Sequence, residues 1–221
     1  LIADLLLHTD RARLCGILAG SLLVGNLALG GLRLLTRPAE GNAVQVAAIQ
    51  GNMSSLEKWS GNSVSAERYE TLTRKAAAEG ATLIVWPETA LTVTIDRSAA
   101  ARDRLSRLAR ETGATLLVGV FTSGTGTESN RQYNSVVAFL PDGSMCETVY
   151  SKQKPVPFGE FVPYRELVML LVPPLADIGM LENDLLVGDR SEVFDLGVGR
   201  VGSLLCFDSI YESTARDSVC R

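Results

Sequence analysis

Hydrophobic and polar positions follow two different patterns along this chain. From Leu14 to Leu32 nineteen residues pass without a charge, about the length a helix needs to cross the hydrocarbon core of a bilayer. Glycines at 16, 20, 25, 30 and 31 would weaken a soluble helix, but they are common in membrane helices. Gly16 and Gly20 make a G-x-x-x-G step of the kind that lets helices pack closely. The pattern predicts a transmembrane helix over about residues 14–34, inside a membrane segment covering 1–37; a buried core helix is the alternative. Arg11 and Arg13 flank one end and Arg33 and Arg37 the other, so charge bias does not orient it. The apolar opening, Leu1-Ile2-Ala3 and Leu5-Leu6-Leu7, reads as the tail of a preceding membrane segment, so the chain is expected to be a fragment. A cleaved signal peptide is disfavoured, because there is no initiating Met and no A-x-A site before Pro38.

A linker over 38–43 leads into a soluble α/β texture expected to run from 44 to 221. Val44–Gln50 is a short apolar run, read as a buried strand. Ser63–Glu79 carries apolar residues at helical spacing and is stopped by Gly80; Leu83–Trp86 is a second strand, halted by Pro87. A second helix is expected near Ser98–Glu111, closed by Gly113, and a third strand over Thr115–Phe121, followed by a polar loop. Ser135–Leu140 and Met145–Tyr150 flank Pro141-Asp142-Gly143-Ser144, a hairpin signal. Val193–Leu196 and Val201–Cys206 read as another hairpin, turned through Gly197 and Gly199. Helix-linked strands first and hairpins afterwards predict an α/β fold with a mixed sheet.

Composition narrows the chemistry. With 21 Lys and Arg against 25 Asp and Glu, the net charge is −4, and there is no basic cluster; this argues against a nucleic-acid partner. The single histidine, His8, rules out a multi-histidine metal site and, beside an apolar terminus, argues against a Ser-His-Asp or Cys-His machine. The four cysteines are irregularly spaced and form neither a disulfide framework nor a C-x-x-C metal site.

Three places stand out. Glu88 follows strand Leu83–Trp86, and carboxylates just past the C-terminal ends of strands sit where open α/β sheets place ligands. Burial beside Trp86 would make it a usable base; a solvated loop glutamate is the alternative. Lys152 falls at a strand end, one of only four lysines in the chain, and could hold an oxyanion as a compact charge. The proline-rich stretch 155–163 after it would carry Glu160 back over the site. Cys206 is expected to end a strand and present its sulfur at the sheet edge, although a free cysteine is among the most commonly buried residues.

Taken together and in this order, Glu88, Lys152 and Cys206 resemble the Glu-Lys-Cys triad of the nitrilase superfamily. The finer wording resembles its apolipoprotein N-acyltransferase branch: Ile49-Gln50-Gly51-Asn52 followed by Lys58-Trp59, Val85-Trp86-Pro87-Glu88-Thr89-Ala90, Tyr133-Asn134-Ser135, Lys152 with Val156-Pro157-Phe158-Gly159-Glu160-Phe161-Val162-Pro163, and Leu205-Cys206-Phe207-Asp208. The block from the lysine through the proline-rich stretch is the most specific. A membrane helix just upstream is what this branch would require.

The resemblance implies a nitrilase-like α-β-β-α sandwich, incomplete at its C-terminus, behind a transmembrane helix. It implies Cys206 as nucleophile, Glu88 as general base, Lys152 as oxyanion holder, Glu160 as a supporting second glutamate, Trp59 near the lipid substrate, and Phe207 and Asp208 beside the nucleophile. Asp208 departs from the glutamate that relatives often carry there. The implied partners are a phospholipid acyl donor, a diacylglyceryl apolipoprotein acceptor and the membrane, with no cofactor and no metal. The implied place is the bacterial cytoplasmic membrane, multi-pass in the whole protein, with the α/β domain on the periplasmic or extracellular side. A nitrilase-type amidohydrolase and a non-catalytic membrane-tethered module are the other readings. The last of these predicts that Glu88, Lys152 and Cys206 do not converge.

Overall fold

The computed structural model describes residues 9–36, 41–54, 57, 64–171 and 184–220. Contacts divide the chain into two compact units, Leu1–Ala43 and Val44–Arg221.

In the first unit, helix α1 spans Thr9–Thr36. At a rise of 1.5 Å per residue its 28 residues extend about 42 Å, more than a bilayer core of about 30 Å. Its segment Ala12–Thr36 is long and apolar enough to cross a membrane. Leu14, Ile17, Leu22, Leu27 and Leu29 are all exposed. Its polar side chains turn back on the helix: Asn26 Nδ2 donates to the Leu22 carbonyl and Thr36 Oγ1 to that of Leu32, at 3.0 and 2.8 Å. Polar groups satisfied within their own helix are what an apolar surrounding demands.

The second unit is built on a five-stranded sheet. Its strands are β1 (Val46–Ala48), β2 (Leu83–Val85), β3 (Thr115–Ser123), β4 (Gln132–Phe139) and β5 (Met145–Ser151), side by side in chain order. The first three are parallel, joined through helices α2 (Val64–Ala78) and α3 (Ala99–Thr112). The next two are antiparallel, so the sheet is mixed. The boundaries follow local chemistry. Ser98 caps α3, its hydroxyl accepting from Ala101 N; Gly113 closes the helix at φ +63°, in the left-handed region that glycine enters without strain. In the β4–β5 turn, Asp142 Oδ1 accepts from Ser144 N at 2.8 Å.

Alternation along the strands divides the side chains between two cores. Ile84, Trp86, Leu116, Val118, Val137 and Phe139 face α2 and α3, where Leu105, Leu108 and Ala109 meet them. Leu83, Leu117, Val136, Ala138 and Tyr150 face the other way, onto Phe194, Leu196 and Leu205. Phe194 and Leu196 belong to β6 (Val193–Leu196), which pairs with β7 (Gly199–Gly202) in a separate two-stranded sheet. Val193, Arg200 and Gly202, on the opposite face of this hairpin, line one cavity with Ala215 and Ser218 of α5 (Glu212–Cys220), and a Cβ at Gly202 would lie 3.1 Å from that of Ser218. The layers therefore run helix, sheet, sheet, helix.

The structure corrects several expected boundaries. The strand expected over 44–50 is paired only over Val46–Ala48. Cys206 does not end a strand: β7 stops at Gly202, and Cys206 opens a 3-10 turn, Cys206–Ile210. The reason is in the following residues, because Asp208 draws the chain inward through hydrogen bonds that a continuing strand would not allow. Helices α4 (Arg165–Leu171) and α5 were not anticipated. Lys58 and Trp59 lie outside the described residues.

Candidate active site

Glu88 stands where β2 leaves the sheet. Trp86 goes to the helix-side core, stacks on Tyr69 at a centroid distance of 5.0 Å and donates its indole N–H to Thr73 Oγ1 at 2.8 Å. Its indole is thus committed to the core, and the Glu88 carboxylate accepts hydrogen bonds from Lys152 and Asn134. The turn holding Glu88 lies against β3. A Cβ at Gly119 would sit 2.7 Å from Thr89 N and 2.9 Å from Glu88 Cα, closer than any side chain tolerates. Glycine at 119 is what lets the carboxylate segment approach the sheet.

Lys152 follows β5 directly, and its backbone N–H donates to the Asn134 carbonyl at 2.8 Å, extending the β4–β5 ladder by one step. This register places Lys152 and Asn134 side by side, on the same face as Tyr150 and Val136. The Lys152 side chain is 1% exposed. Its Nζ donates to Glu88 Oε1 at 2.8 Å and to Glu160 Oε1 at 2.9 Å, and lies 2.8 Å from Glu160 Oε2. Asn134 Nδ2 donates to the same two oxygens, Glu88 Oε1 at 2.7 Å and Glu160 Oε1 at 3.1 Å.

Glu160 reaches this cluster because the proline-rich stretch folds into a tight turn. Glu160 N and Gly159 N both donate to the Val156 carbonyl, Phe158 N donates to that of Phe161, and Val156 N donates back to Glu160 Oε2. The turn is pinned from outside by Asp184, which accepts from Val162 N at 3.0 Å and from the Arg165 guanidinium. Hydrogen bonds from Arg165 hold the Asp184 carboxyl below its ordinary value.

Cys206 is an exposed residue with a backbone φ of +45°, a conformation uncommon for any side chain other than glycine, asparagine or aspartate. Asp208, fully buried, holds it there. Its Oδ1 accepts from Lys154 N at 2.7 Å and Gln153 N at 3.2 Å; its Oδ2 accepts from Tyr150 Oη–H at 2.7 Å and Leu205 N at 3.3 Å. One carboxylate thus ties the turn carrying Cys206 to both sides of Lys152. The aspartate, shorter than the glutamate frequent in the resembling branch, reaches every one of these donors. Burial, then the hydrogen bond and charge of Asp208, push the Tyr150 hydroxyl far above its ordinary value, so it serves as a fixed donor. Phe207 packs edge-on to Tyr211, at 5.6 Å between centroids.

The electrostatics follow from this packing. Burial pulls the Lys152 ammonium down, but hydrogen bonds to Glu160 and Glu88 and their charges outweigh it, so it is held above its ordinary value and stays charged. The Cys206 thiol is raised, first by desolvation and then by the negative charge of Glu88, with which it also hydrogen-bonds; Lys152 pulls the other way and does not prevail. At neutral pH the resting group is a thiol with a carboxylate at hand to take its proton, rather than a standing thiolate. The Glu88 side chain is 28% exposed and that of Glu160 16%, so Glu88 is the more open of the two to a reacting group. Two residues carrying this arrangement, Asn134 and Tyr150, were not singled out for roles from the sequence. In the sequence Asn134 stands out only within Tyr133-Asn134-Ser135, and Tyr150 only as the strand residue that opens Tyr150-Ser151-Lys152-Gln153-Lys154.

A family model described as carbon-nitrogen hydrolase matches residues 45–219. Among curated proteins, the chain is 34% identical over 189 residues to an apolipoprotein N-acyltransferase of Geobacter metallireducens, an alignment covering 84% of this chain and 35% of the relative. It is 30% identical over 221 residues to the protein of that name in Pseudomonas syringae pv. tomato, covering 95% and 41%. The chain therefore spans well under half the length of these relatives. Among solved structures, it is similar to the amidase from Nesterenkonia sp. AN1 carrying an acetamide moiety added at its active-site cysteine, with a TM-score of 0.57 at 16% identity over 83% of this chain and 63% of that one. A carbon-nitrogen hydrolase from Helicobacter pylori G27 gives a TM-score of 0.53 at 19% identity, over 78% and 55%. The solved structures share the layered fold, and the family model runs from β1 through most of α5; this chain belongs to the carbon-nitrogen hydrolase family.

Proposed function

We propose that this chain carries the acyl-transfer site of an apolipoprotein N-acyltransferase, with Cys206 as nucleophile, Glu88 as general base and Lys152 as oxyanion holder. The observation that carries the reading is the convergence of Glu88, Lys152, Glu160 and the Cys206 thiol at one edge of the inter-sheet core, in a chain whose curated relatives bear that name. A non-catalytic tethered module gives no reason for a buried lysine shared by two glutamates beside a cysteine held at positive φ.

In the first half-reaction Glu88 takes the Cys206 proton as Sγ attacks the ester carbonyl carbon of a phospholipid. Lys152 stabilises the tetrahedral oxyanion, a charge developing in a place where the donor is already fixed. The carbon–oxygen ester bond breaks, Glu88 returns its proton to the departing lysophospholipid alkoxide, and the acyl group remains as a thioester. In the second half, the terminal amine of a diacylglyceryl-cysteine lipoprotein attacks that thioester and loses a proton to Glu88. The carbon–sulfur bond breaks, the proton returns to Cys206, and the amide leaves. Kinetics are ping-pong. Helix α1 serves as one membrane span of a multi-pass protein, with the α/β unit on the periplasmic or extracellular side; both substrates are membrane-anchored, which is the physical reason to join this chemistry to membrane helices.

Intact-protein mass spectrometry of the full-length enzyme incubated with phospholipid in detergent tests the reading. The expected result is one hydroxylamine-labile acyl group on Cys206, transferred to an added amine. Transfer to water alone would establish an amidohydrolase-type activity, and an acyl adduct surviving Cys206→Ala would overturn the assignment of the nucleophile.

A further inference from the structure

We propose that Asn134 is a positioning residue of this site: its side-chain amide bridges Glu88 and Glu160, fixing both carboxylates around Lys152 so that Glu88 stays aimed at Cys206. The inference rests on the acyl-transfer reading of the site and adds to it a residue outside the Glu-Lys-Cys set.

Two carboxylates share one ammonium here, leaving an excess negative charge in a largely buried cluster. Like charges at this spacing repel, and a single lysine has only three protons to spread between them. Asn134 supplies the missing donor capacity without adding charge. Its Nδ2 meets Glu88 Oε1 at 2.7 Å and Glu160 Oε1 at 3.1 Å, the same oxygens that Lys152 contacts at 2.8 and 2.9 Å. Lysine and asparagine therefore share one oxygen of each carboxylate, while the other oxygen of Glu160 is held by Lys152 and by Val156 N–H. These contacts fix the carboxylate orientation, which a single point-charge contact would leave free to rotate.

The other end of the amide shows what this arrangement displaces. Asn134 is 2% exposed, and its Oδ1 is buried with no hydrogen-bond partner among the described residues. Buried polar atoms are ordinarily satisfied, and an orphan acceptor is destabilising. Turning the amide over would set its oxygen against two carboxylates, so the orientation is dictated by Glu88 and Glu160. A residue kept only for packing at this strand position would be apolar, like Val136 and Ala138 farther along the same face. An asparagine whose donor is fully used and whose acceptor is sacrificed is placed there for the donor.

The test uses the full-length enzyme in detergent and two variants. Asn134→Leu removes donor and orphan acceptor together. Assayed well below its own unfolding temperature, it is expected to form the Cys206 acyl adduct at least tenfold more slowly than wild type. Asn134→Asp is nearly isosteric and adds a third carboxyl to a cluster whose facing titratable groups are Glu88, Glu160, Lys152 and, beyond Glu88, Cys206. It can donate to Glu88 only when protonated, so its adduct-formation optimum is expected to move to lower pH than that of wild type. Its added charge is also expected to move the pH profile of Cys206 alkylation by iodoacetamide upward. Adduct formation by either folded variant within twofold of wild type at neutral pH overturns the proposal, as does an Asn134→Asp enzyme whose pH profiles match wild type. If wild-type enzyme forms no adduct, the acyl-transfer reading fails instead, and the alkylation profile, which needs no phospholipid, still decides the role of Asn134.

Discussion

Glu88 bears on the Cys206 thiol in two opposing ways, and two readouts of one substitution tell them apart. Its charge helps hold the Cys206 thiol above its ordinary value, yet in the proposed mechanism it is also the base that removes the proton. Glu88→Gln removes both at once. The thiol, relieved of a neighbouring anion and still near Lys152, is expected to titrate at lower pH, so alkylation of Cys206 by iodoacetamide becomes faster at neutral pH. Acyl-adduct formation is expected to fall by roughly 10²–10⁴, the usual contribution of a positioned general base. A variant whose alkylation and acylation rise together would show that thiolate population alone limits the reaction and that Glu88 is not the base. Glu88, Lys152, Glu160 and Cys206 were legible as candidates in the sequence because Glu88 and Lys152 stand beside strand boundaries and Glu160 and Cys206 lie in distinctive motifs. Asn134 and Tyr150 were not, because both lie inside strands whose pattern explains them as ordinary β residues.

At the scale of elements, the site depends on how closely three chain segments approach one another. The β2–Glu88 turn lies against β3 only because residue 119 lacks a side chain. Gly119→Ala places a methyl where Thr89 N and Glu88 Cα already stand, and the turn must move. Overpacking of this kind costs about 1–3 kcal/mol; since the displaced atoms include the backbone of Glu88, activity is expected to fall by more than stability alone explains. The comparison is made by measuring acylation of the folded variant well below its unfolding temperature, and unchanged acylation would show that the turn relaxes without shifting the carboxylate. The elements themselves were largely readable. Gly80 and Gly113 stop α2 and α3 as expected, and the Pro141–Ser144 turn joins β4 to β5. The apolar run within Val201–Cys206 predicts a strand as far as Cys206, whereas β7 stops at Gly202. What bends it is Asp208, a residue beyond the run, accepting hydrogen bonds from Tyr150 and from residues 153 and 154.

For the molecule as a whole, the proposed sidedness makes a direct prediction. Cys206 is exposed in its unit. In intact cells expressing the full-length protein with Cys220→Ser, a membrane-impermeant maleimide is expected to label Cys206 once the outer barrier is opened and the cytoplasmic membrane is left sealed. Labelling that requires disruption of the cytoplasmic membrane would place the α/β unit on the other side. The flanking arginines of α1 do not decide this, since they stand at both ends of the apolar run.

Read alone, the amino-acid sequence establishes an apolar helix long enough to span a bilayer, the alternation of helix and strand that makes the sheet mixed, and which carboxylates, lysine and cysteine are candidates for the chemistry. These are properties of short windows: uncharged length, periodicity, breakers and motifs. It takes the folded chain to show that Lys152 is shared by two glutamates, that an asparagine bridges them, that a buried aspartate ties down the turn carrying a cysteine at positive φ, and that the thiol is raised rather than lowered. These features join residues far apart in the chain, Lys152 and Glu88 by 64 positions and Cys206 and Glu88 by 118, and charge, desolvation and hydrogen-bond geometry act between neighbours in space that no local pattern records.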